Sequence, residues 1–465
     1  MSAGTSPSDV PLLEVRDLAV EFRTPEGFVR AVDGLSYRVE AGRTLAVVGE
    51  SGSGKSVSSL AVMGLLPDAA RVARGSVRLA GEDLLGLSRR EHRRRCGDRV
   101  AMVFQDALAA LNPVHTVGRQ LTEALRARRG MSRADARLRA VELLDLVQVP
   151  NARDRVRDYP HQFSGGMRQR VMIATALAME PDVLIADEPT TALDVTVQAQ
   201  VLRLLAEIQA ERRMGLVLIT HDLGVVAGMA DDVTVMYAGT VVERAPVRET
   251  FRSPAHPYTR ALLRSIPSAV DRSTADASGA DRSTAGSGRR RLPVIPGRPP
   301  GLGASPAGCA FHPRCDLARD LCRTQSPVLA AVDGMPTADR GGPGDGHGDG
   351  TVVAAARTGT DAYSGAGPRN ATAARTGTDA VIEARGPEGS PSTRASACHF
   401  AAEVLASSAA AVPTSPDRAV PASPDRAIPT PRAGAAPASR AGEIPAEPWD
   451  DPGTSTPENQ EAADD

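Results

Sequence analysis

One lysine occurs among the 54 Lys and Arg residues of this chain, and it is Lys55, inside the run Gly49-Glu50-Ser51-Gly52-Ser53-Gly54-Lys55-Ser56. A single lysine scattered at random over the basic positions would land in one chosen slot about 2% of the time, so its place points to chemistry. The run fits GxxxxGK[ST]. Its glycines let successive backbone N–H groups turn onto phosphate oxygens, and a helix starting just after them adds its positive end. The compact Lys55 ammonium suits a slot between two phosphates, where a flat guanidinium fork would fit poorly. Ser56 offers a hydroxyl to Mg²⁺. The bland alternative is a Gly/Ser turn, but even with ordinary lysine usage a chance match is expected only about 0.03 times in so glycine-rich a chain.

A second group of residues could complete such a site. Val183-Leu184-Ile185-Ala186-Asp187-Glu188 is an apolar run ending in two carboxylates. That order puts Asp187 near a metal and Glu188 where it can polarise a water. Gln105 and His221 each end another short apolar run, and Ser164-Gly165-Gly166 opens a helix whose N-terminus could hold an anion. Each has a sober alternative alone: a strand-end amide, a hydrogen-bonded buried histidine, a helix cap. Cys309, Cys315, Cys322 and the distant Cys398 form a third group. Their gaps exceed the CxxC of zinc ribbons, and a reducing compartment disfavours disulfides. A cluster, zinc aided by His312 or His399, or no metal all stay open. Cys96, beside Arg93-Arg94-Arg95, reads as an ordinary thiol on a solvated helical face.

Strands and helices must bring these groups together. Residues 12–20 and 35–48 alternate like strands around the turn signal Thr24-Pro25-Glu26-Gly27, and residues 75–85 suggest more short strands. Leu45 to Val48 and Val183 to Ala186 are apolar throughout, and Leu216 to Thr220 up to its last residue, as expected of strands covered on both faces. Val57 to Leu66, Gly166 to Met179 and Val195 to Arg212 read as helices, and Arg89 to Phe163 as a largely helical insertion. Strand–helix alternation of this kind predicts an α/β fold with a mostly parallel sheet.

The 465 residues exceed one compact domain, yet only 3% are aromatic, and Phe311, Tyr363, Phe400 and Trp449 are the aromatics beyond Pro267. The core therefore belongs to the first 265 or so residues. Beyond them the chain turns to Ala, Gly, Pro, Ser, Arg and Asp, with duplicated DRSTA, AARTGTDA and SPDRA segments. Such composition predicts disorder, interrupted by the cysteine island. The net charge of −2 gives no global field for nucleic acid. The arginine runs at 89–95 and 289–291 read as solvated faces, since arginine replaces lysine throughout. No apolar run reaches a membrane span and no secretory pattern opens the chain, which predicts a cytosolic protein unless a partner holds it at a membrane.

Taken in order, these motifs resemble the ATP-binding subunits of ABC transporters over residues 12–267. Residues 49–56 resemble Walker A, Gln105 the Q-loop, Ser164-Gly165-Gly166 the signature, and Asp187 and Glu188 Walker B with the catalytic glutamate. Thr191-Ala192-Leu193-Asp194 resembles the D-loop and His221 the switch histidine. The signature reads FSGGM rather than LSGGQ, which keeps the serine and both glycines. The resemblance implies a P-loop NTPase core with an antiparallel β subdomain and an α-helical subdomain at about 89–165. It implies ATP contacts from Gly49, Glu50, Ser51, Gly52, Ser53, Gly54, Lys55, Ser56 and Val57, with Phe28, or neighbouring Phe22, stacking adenine. Mg²⁺ would meet Ser56, Gln105 and Asp187; Glu188, His221 and Gln105 would serve hydrolysis.

In that family two ATPase subunits pair head to tail, so Ser164, Gly165, Gly166 and Asp194 would act at the partner's nucleotide. The pair drives two membrane permease subunits fed by an extracytoplasmic solute-binding protein. Phe251-Arg252-Ser253-Pro254-Ala255-His256-Pro257-Tyr258-Thr259 is similar to the oligopeptide/dipeptide/nickel uptake subfamily. Members of it carry four C-terminal cysteines, which implies a [4Fe–4S] cluster held by Cys309, Cys315, Cys322 and Cys398. The implied organisation is an ATPase domain at 12–267, a linker at 268–300, a cysteine-rich element at 301–330 plus 395–401, and low-complexity stretches at 331–394 and 402–465. A peripheral place on the cytoplasmic membrane face follows, with a soluble ATPase of the same fold as the alternative.

Overall fold

A computed structural model describes residues 10–191, 193–266, 294–332 and 394–410. Most of the expected linker and of both low-complexity stretches lies outside the described residues.

Two sheets organise the described chain. Strands β1 (Leu13–Thr24), β2 (Gly27–Val39), β4 (Ala70–Leu79) and β5 (Glu82–Asp83) form an antiparallel sheet in the order β2-β1-β4-β5. The second sheet contains β3 (Thr44–Val48), β6 (Val100–Val103), β7 (Val183–Asp187), β8 (Gly215–Thr220), β9 (Asp232–Tyr237), β10 (Thr240–Pro246), β11 (Ala330–Ala331) and β12 (Ala395–Ser396). Its order is β11-β12-β10-β9-β3-β8-β7-β6. The five strands β6, β7, β8, β3 and β9 run parallel, and β10, β12 and β11 continue antiparallel.

The period of two along the central strands sends alternate residues to opposite faces. Leu45, Val47, Val183, Ile185, Val217 and Ile219 point into a core shared with the antiparallel sheet. On the other face Leu184, Ala186, Leu216 and Leu218 meet the helices Val117–Arg129, Arg133–Leu146, Gly165–Leu177 and Val195–Arg212. Ala46 and Val48 belong to a third core, with Tyr237, Tyr258 and Phe311. Among the described residues no helix is long and apolar enough to cross a membrane.

Four expectations need correction. The stretch from Arg89 is not a continuous helical insertion, because β6 interrupts it and pairs parallel with β7. The helix expected over Val57 to Leu66 spans Lys55–Val62, since Gly64 takes φ 65° and ends it before Pro67. The expected low-complexity stretch from 402 begins within the helix Ala401–Ala410, which buries Val404 and Leu405. The cysteine-rich element is no island: Phe311, Cys309 and Cys315 pack into the third core and β12 adds to the edge of β10. The described residues up to 410 therefore belong to one compact unit.

Candidate functional site

Residues 49–54 turn between β3 and the helix Lys55–Val62, so the end of a buried parallel strand delivers the loop directly to a helix N-terminus. Two glycines are needed for physical reasons. A Cβ on Gly49 would lie 2.3 Å from the Met236 carbonyl oxygen, and one on Gly54 would lie 2.7 Å from that of Ala31. Gly54 also holds φ 96°, which L side chains rarely adopt. Lys55 is buried and folds back over the loop, its Nζ donating to the carbonyls of Gly49 at 2.7 Å and Glu50 at 2.9 Å. Burial pulls its ammonium below the ordinary value, opposed by the carboxylates of Glu188, Asp187 and Glu50. The Ser53 hydroxyl is buried with no hydrogen-bond partner among the described residues. The orphaned hydroxyl and the cluster of loop N–H groups fit a phosphate.

Ser56 Oγ donates to Asp187 Oδ1 at 3.1 Å, placing two hard oxygen donors side by side as a divalent cation requires. Burial pushes the Asp187 carboxyl upward, while the Ser56 hydroxyl bond lowers it. Next along the chain, Glu188 collects three partners. Gln105 Nε2 donates to its Oε2 at 3.0 Å, Thr191 Oγ1 donates to the same oxygen at 2.9 Å, and His221 Nδ1 lies 3.2 Å from Oε1. β6, β7 and β8 are adjacent, so their C-terminal ends bring Gln105, Glu188 and His221 together although 116 positions separate the first from the last.

The remaining expected residues lie elsewhere. Ser164 caps the helix Gly165–Leu177, its Oγ accepting the Met167 N–H, and Asp194 caps Val195–Arg212 by accepting that of Val197. Met167, in the Gln position of the signature, packs against the helical core. Phe28 lies half exposed in β2 with the Arg71 guanidinium 3.7 Å from its ring centre. Val57 packs against the core beside the antiparallel sheet. Cys96 corrects the sequence reading: it is buried, with Sγ 3.4 Å from the Val62 carbonyl, and its thiol is pushed up to about 12.

Cys309, Cys315, Cys322 and Cys398 line one apolar cavity with His256, Phe311 and Phe400. Burial raises the thiols of Cys309 and Cys398 and lifts that of Cys315 to about 11. His312 turns Nδ1 to the Cys309 carbonyl and His399 turns Nε2 to that of Gln325. Among the described residues no group of three or more His, Cys, Asp or Glu is arranged to hold a metal ion. The donor chemistry of four sulfurs facing one cavity suits a thiophilic group, but no mononuclear site is preformed. Arg314 and Tyr258, which contact the loop at Glu50, were given no role there by the sequence. Neither carries a local signal, because only folding brings them to the loop.

The ABC transporter family model matches residues 32–191, and the model for the oligopeptide/dipeptide transporter C-terminal region matches residues 242–285 and 282–322. The chain is 48% identical over 323 residues to the oligopeptide transport ATP-binding protein OppD of Salmonella typhimurium, covering 70% of this chain and 91% of the relative. It is 47% identical to the probable peptide ABC transporter ATP-binding protein y4tR of Sinorhizobium fredii, covering 71% of this chain and 95% of the relative. With the OppD protein of Mycobacterium tuberculosis it shares 52% identity, over 69% of this chain and 50% of that longer protein. The chain belongs to the ABC transporter family, as an ATP-binding subunit of the branch that carries the oligopeptide/dipeptide transporter C-terminal region.

Proposed function

We propose that this chain hydrolyses Mg·ATP to power uptake of di- and oligopeptides through a membrane transporter. The grouping of Gln105, Thr191 and His221 around Glu188, next to the Ser56–Asp187 pair, carries the reading. In it, residues 49–57 bind the triphosphate, Lys55 neutralises charge between phosphates, and Ser56 and Asp187, with Gln105, hold the cation of the substrate. Glu188 accepts a proton from the attacking water and His221 steadies the developing charge on the γ-phosphate. Phe28 stacks on adenine, on a face that Arg71 leaves free. Ser164, Gly165, Gly166 and Asp194 act across the seam on a second ATPase subunit's nucleotide. Residues 12–267 form the ATP-hydrolysing unit.

The cargo assignment is supported by the match at residues 242–322 and by the names of the relatives. The subunit then sits on the cytoplasmic membrane face against two permease subunits, which receive solute from an extracytoplasmic binding protein. Replacing Glu188 by Gln removes the base and keeps the hydrogen bonds, so Mg·ATP binding persists while kcat falls at least about 10²-fold. Unchanged hydrolysis by Glu188→Gln would refute the assigned roles.

Cys309, Cys315, Cys322 and Cys398 are the residues that would hold an iron–sulfur cluster. Once deprotonated by it, they would gain a cross-link between residues 309–322 and 398 and a one-electron centre. Anaerobically purified protein should be brown with about four irons per chain, and Cys322→Ser should lose both iron and colour. Colourless, iron-free protein from cells replete in iron would end this part of the reading.

A further inference from the structure

The phosphate loop is held from a second direction, by a residue 264 positions away in the chain. Arg314 lies between Cys309 and Cys315 and is buried. All three of its guanidinium nitrogens donate: Nε to the Pro296 carbonyl at 2.8 Å, Nη1 to Glu50 Oε2 at 2.7 Å and to the Tyr237 hydroxyl at 3.3 Å, and Nη2 to Glu50 Oε1 at 3.0 Å. The fork therefore grips both oxygens of Glu50, the pairing that combines charge with fixed geometry. The backbone of Glu50 is fixed too. Its N–H donates to the Tyr258 hydroxyl at 3.0 Å, and its carbonyl accepts Lys55 Nζ at 2.9 Å.

Two consequences follow from this arrangement. The loop is attached to the cysteine element through Arg314, and both are packed on the rings of Tyr237, Tyr258 and Phe311, whose centres lie 4.7 to 5.3 Å apart. The second consequence is electrostatic. Glu50 puts an anion into a loop that receives a triphosphate, and like charges at this distance repel unless one is compensated. Arg314 supplies that compensation and, with only a small fraction of its side chain exposed, is shielded from salt.

We propose that Arg314 is a positioning residue for ATP: by holding and neutralising Glu50 it keeps the loop open to the triphosphate, so the cysteine element sets the affinity for nucleotide. The proposal rests on residues 49–56 being the phosphate-binding loop. It goes beyond that reading by giving the C-terminal element a task at the nucleotide site. A tie that merely stabilised the fold would change the melting temperature and leave the KM for ATP alone.

The test uses the full-length protein, Mg·ATP binding at equilibrium, and KM and kcat for hydrolysis. Arg314→Gln leaves Glu50 uncompensated and should raise Kd and KM by about fivefold or more, with a smaller change in kcat. Adding Glu50→Gln removes the anion, so the double variant should recover towards the affinity of Glu50→Gln alone. Arg314→Lys, which keeps charge but loses the fork, should fall between. Should Arg314→Gln not fold, Arg314→Lys with and without Glu50→Gln gives the same comparison. Wild-type affinity in the Arg314 variants, or no recovery in the double variant, would overturn the proposal. Lys55→Ala separates the two readings. If it abolishes binding while the Arg314 variants bind normally, only the present proposal falls; if it binds normally, the phosphate loop itself is misassigned.

Discussion

Glu188 holds φ 44°, a left-handed backbone conformation that few non-glycine residues adopt, directly after β7. Such a position persists when its surroundings over-determine it. Here the Glu188 N–H donates to the Ile219 carbonyl at 2.9 Å, and the carboxylate has the partners in Gln105, Thr191 and His221 already described. Removing one neutral donor should loosen the carboxylate without emptying the nucleotide site. Thr191→Val should therefore lower kcat about 2- to 10-fold, the value of one hydrogen bond, and leave KM nearly unchanged. Steady-state hydrolysis at saturating Mg·ATP measures this. Cys96 gives an independent check of burial: with its thiol pushed up to about 12, only about 10⁻⁴ of it is thiolate at pH 8. Alkylation followed by peptide mapping should leave Cys96 unmodified in folded protein and label it after denaturation. Lys55, Asp187, Glu188 and His221 were legible as candidates in the sequence because each sits in a short local pattern. Arg314 and Cys96 were not, since one arginine of 53 and a thiol beside three arginines look solvent-facing until the tertiary packing is known.

At the scale of elements, the helix Gly165–Leu177 meets the helix Val195–Arg212 through a very close approach. A Cβ on Gly166 would fall 2.4 Å from Val197 Cγ1. Gly166→Ala should lower the melting temperature, and Val197→Ala in the same chain should restore it by making room. If Gly166 also presents backbone to a partner's nucleotide, the stability-restored double variant stays poor in hydrolysis, whereas full recovery of activity would reduce the glycine to packing. Asp194 caps the second helix, so Asp194→Ala should cost about 0.5–2 kcal/mol in chemical denaturation. The element pattern was largely readable. Fully apolar strands predicted burial on both faces, and Val195 to Arg212 matches the observed helix end to end. The strands that carried no signal are β11 and β12, whose two residues each are too short for any periodicity.

For the whole molecule, the third core joins segments that the composition separates. Tyr237 comes from β9, Tyr258 from the helix Pro257–Arg264, and Phe311 from the cysteine element. Phe311→Ala should destabilise the chain by about 3–5 kcal/mol, because the cavity would open between packed rings. Urea denaturation followed through the C-terminal residues and through the ATPase core should then show one transition; two separated transitions would mean that the cysteine element folds independently. By composition the core lies before Pro267, yet Phe311 and Val404 are buried. A low aromatic count measures how much core a segment could build alone, and says little about what it contributes to a neighbour's.

The pairing of β11 with β12 also pins two distant points of the chain together. The Val332 N–H donates to the Arg394 carbonyl at 3.0 Å. Residues 332 and 394, which bracket the stretch 333–393, thus meet at one spot on a sheet edge, and the entropy of closing any such span grows only with the logarithm of its length. Replacing about sixty residues there with a four-residue turn would alter the closure term by about 2 kcal/mol. The spot is therefore a natural insertion port: foreign sequence could be spliced in, or the native span cut out, while Cys398 still reaches its companions.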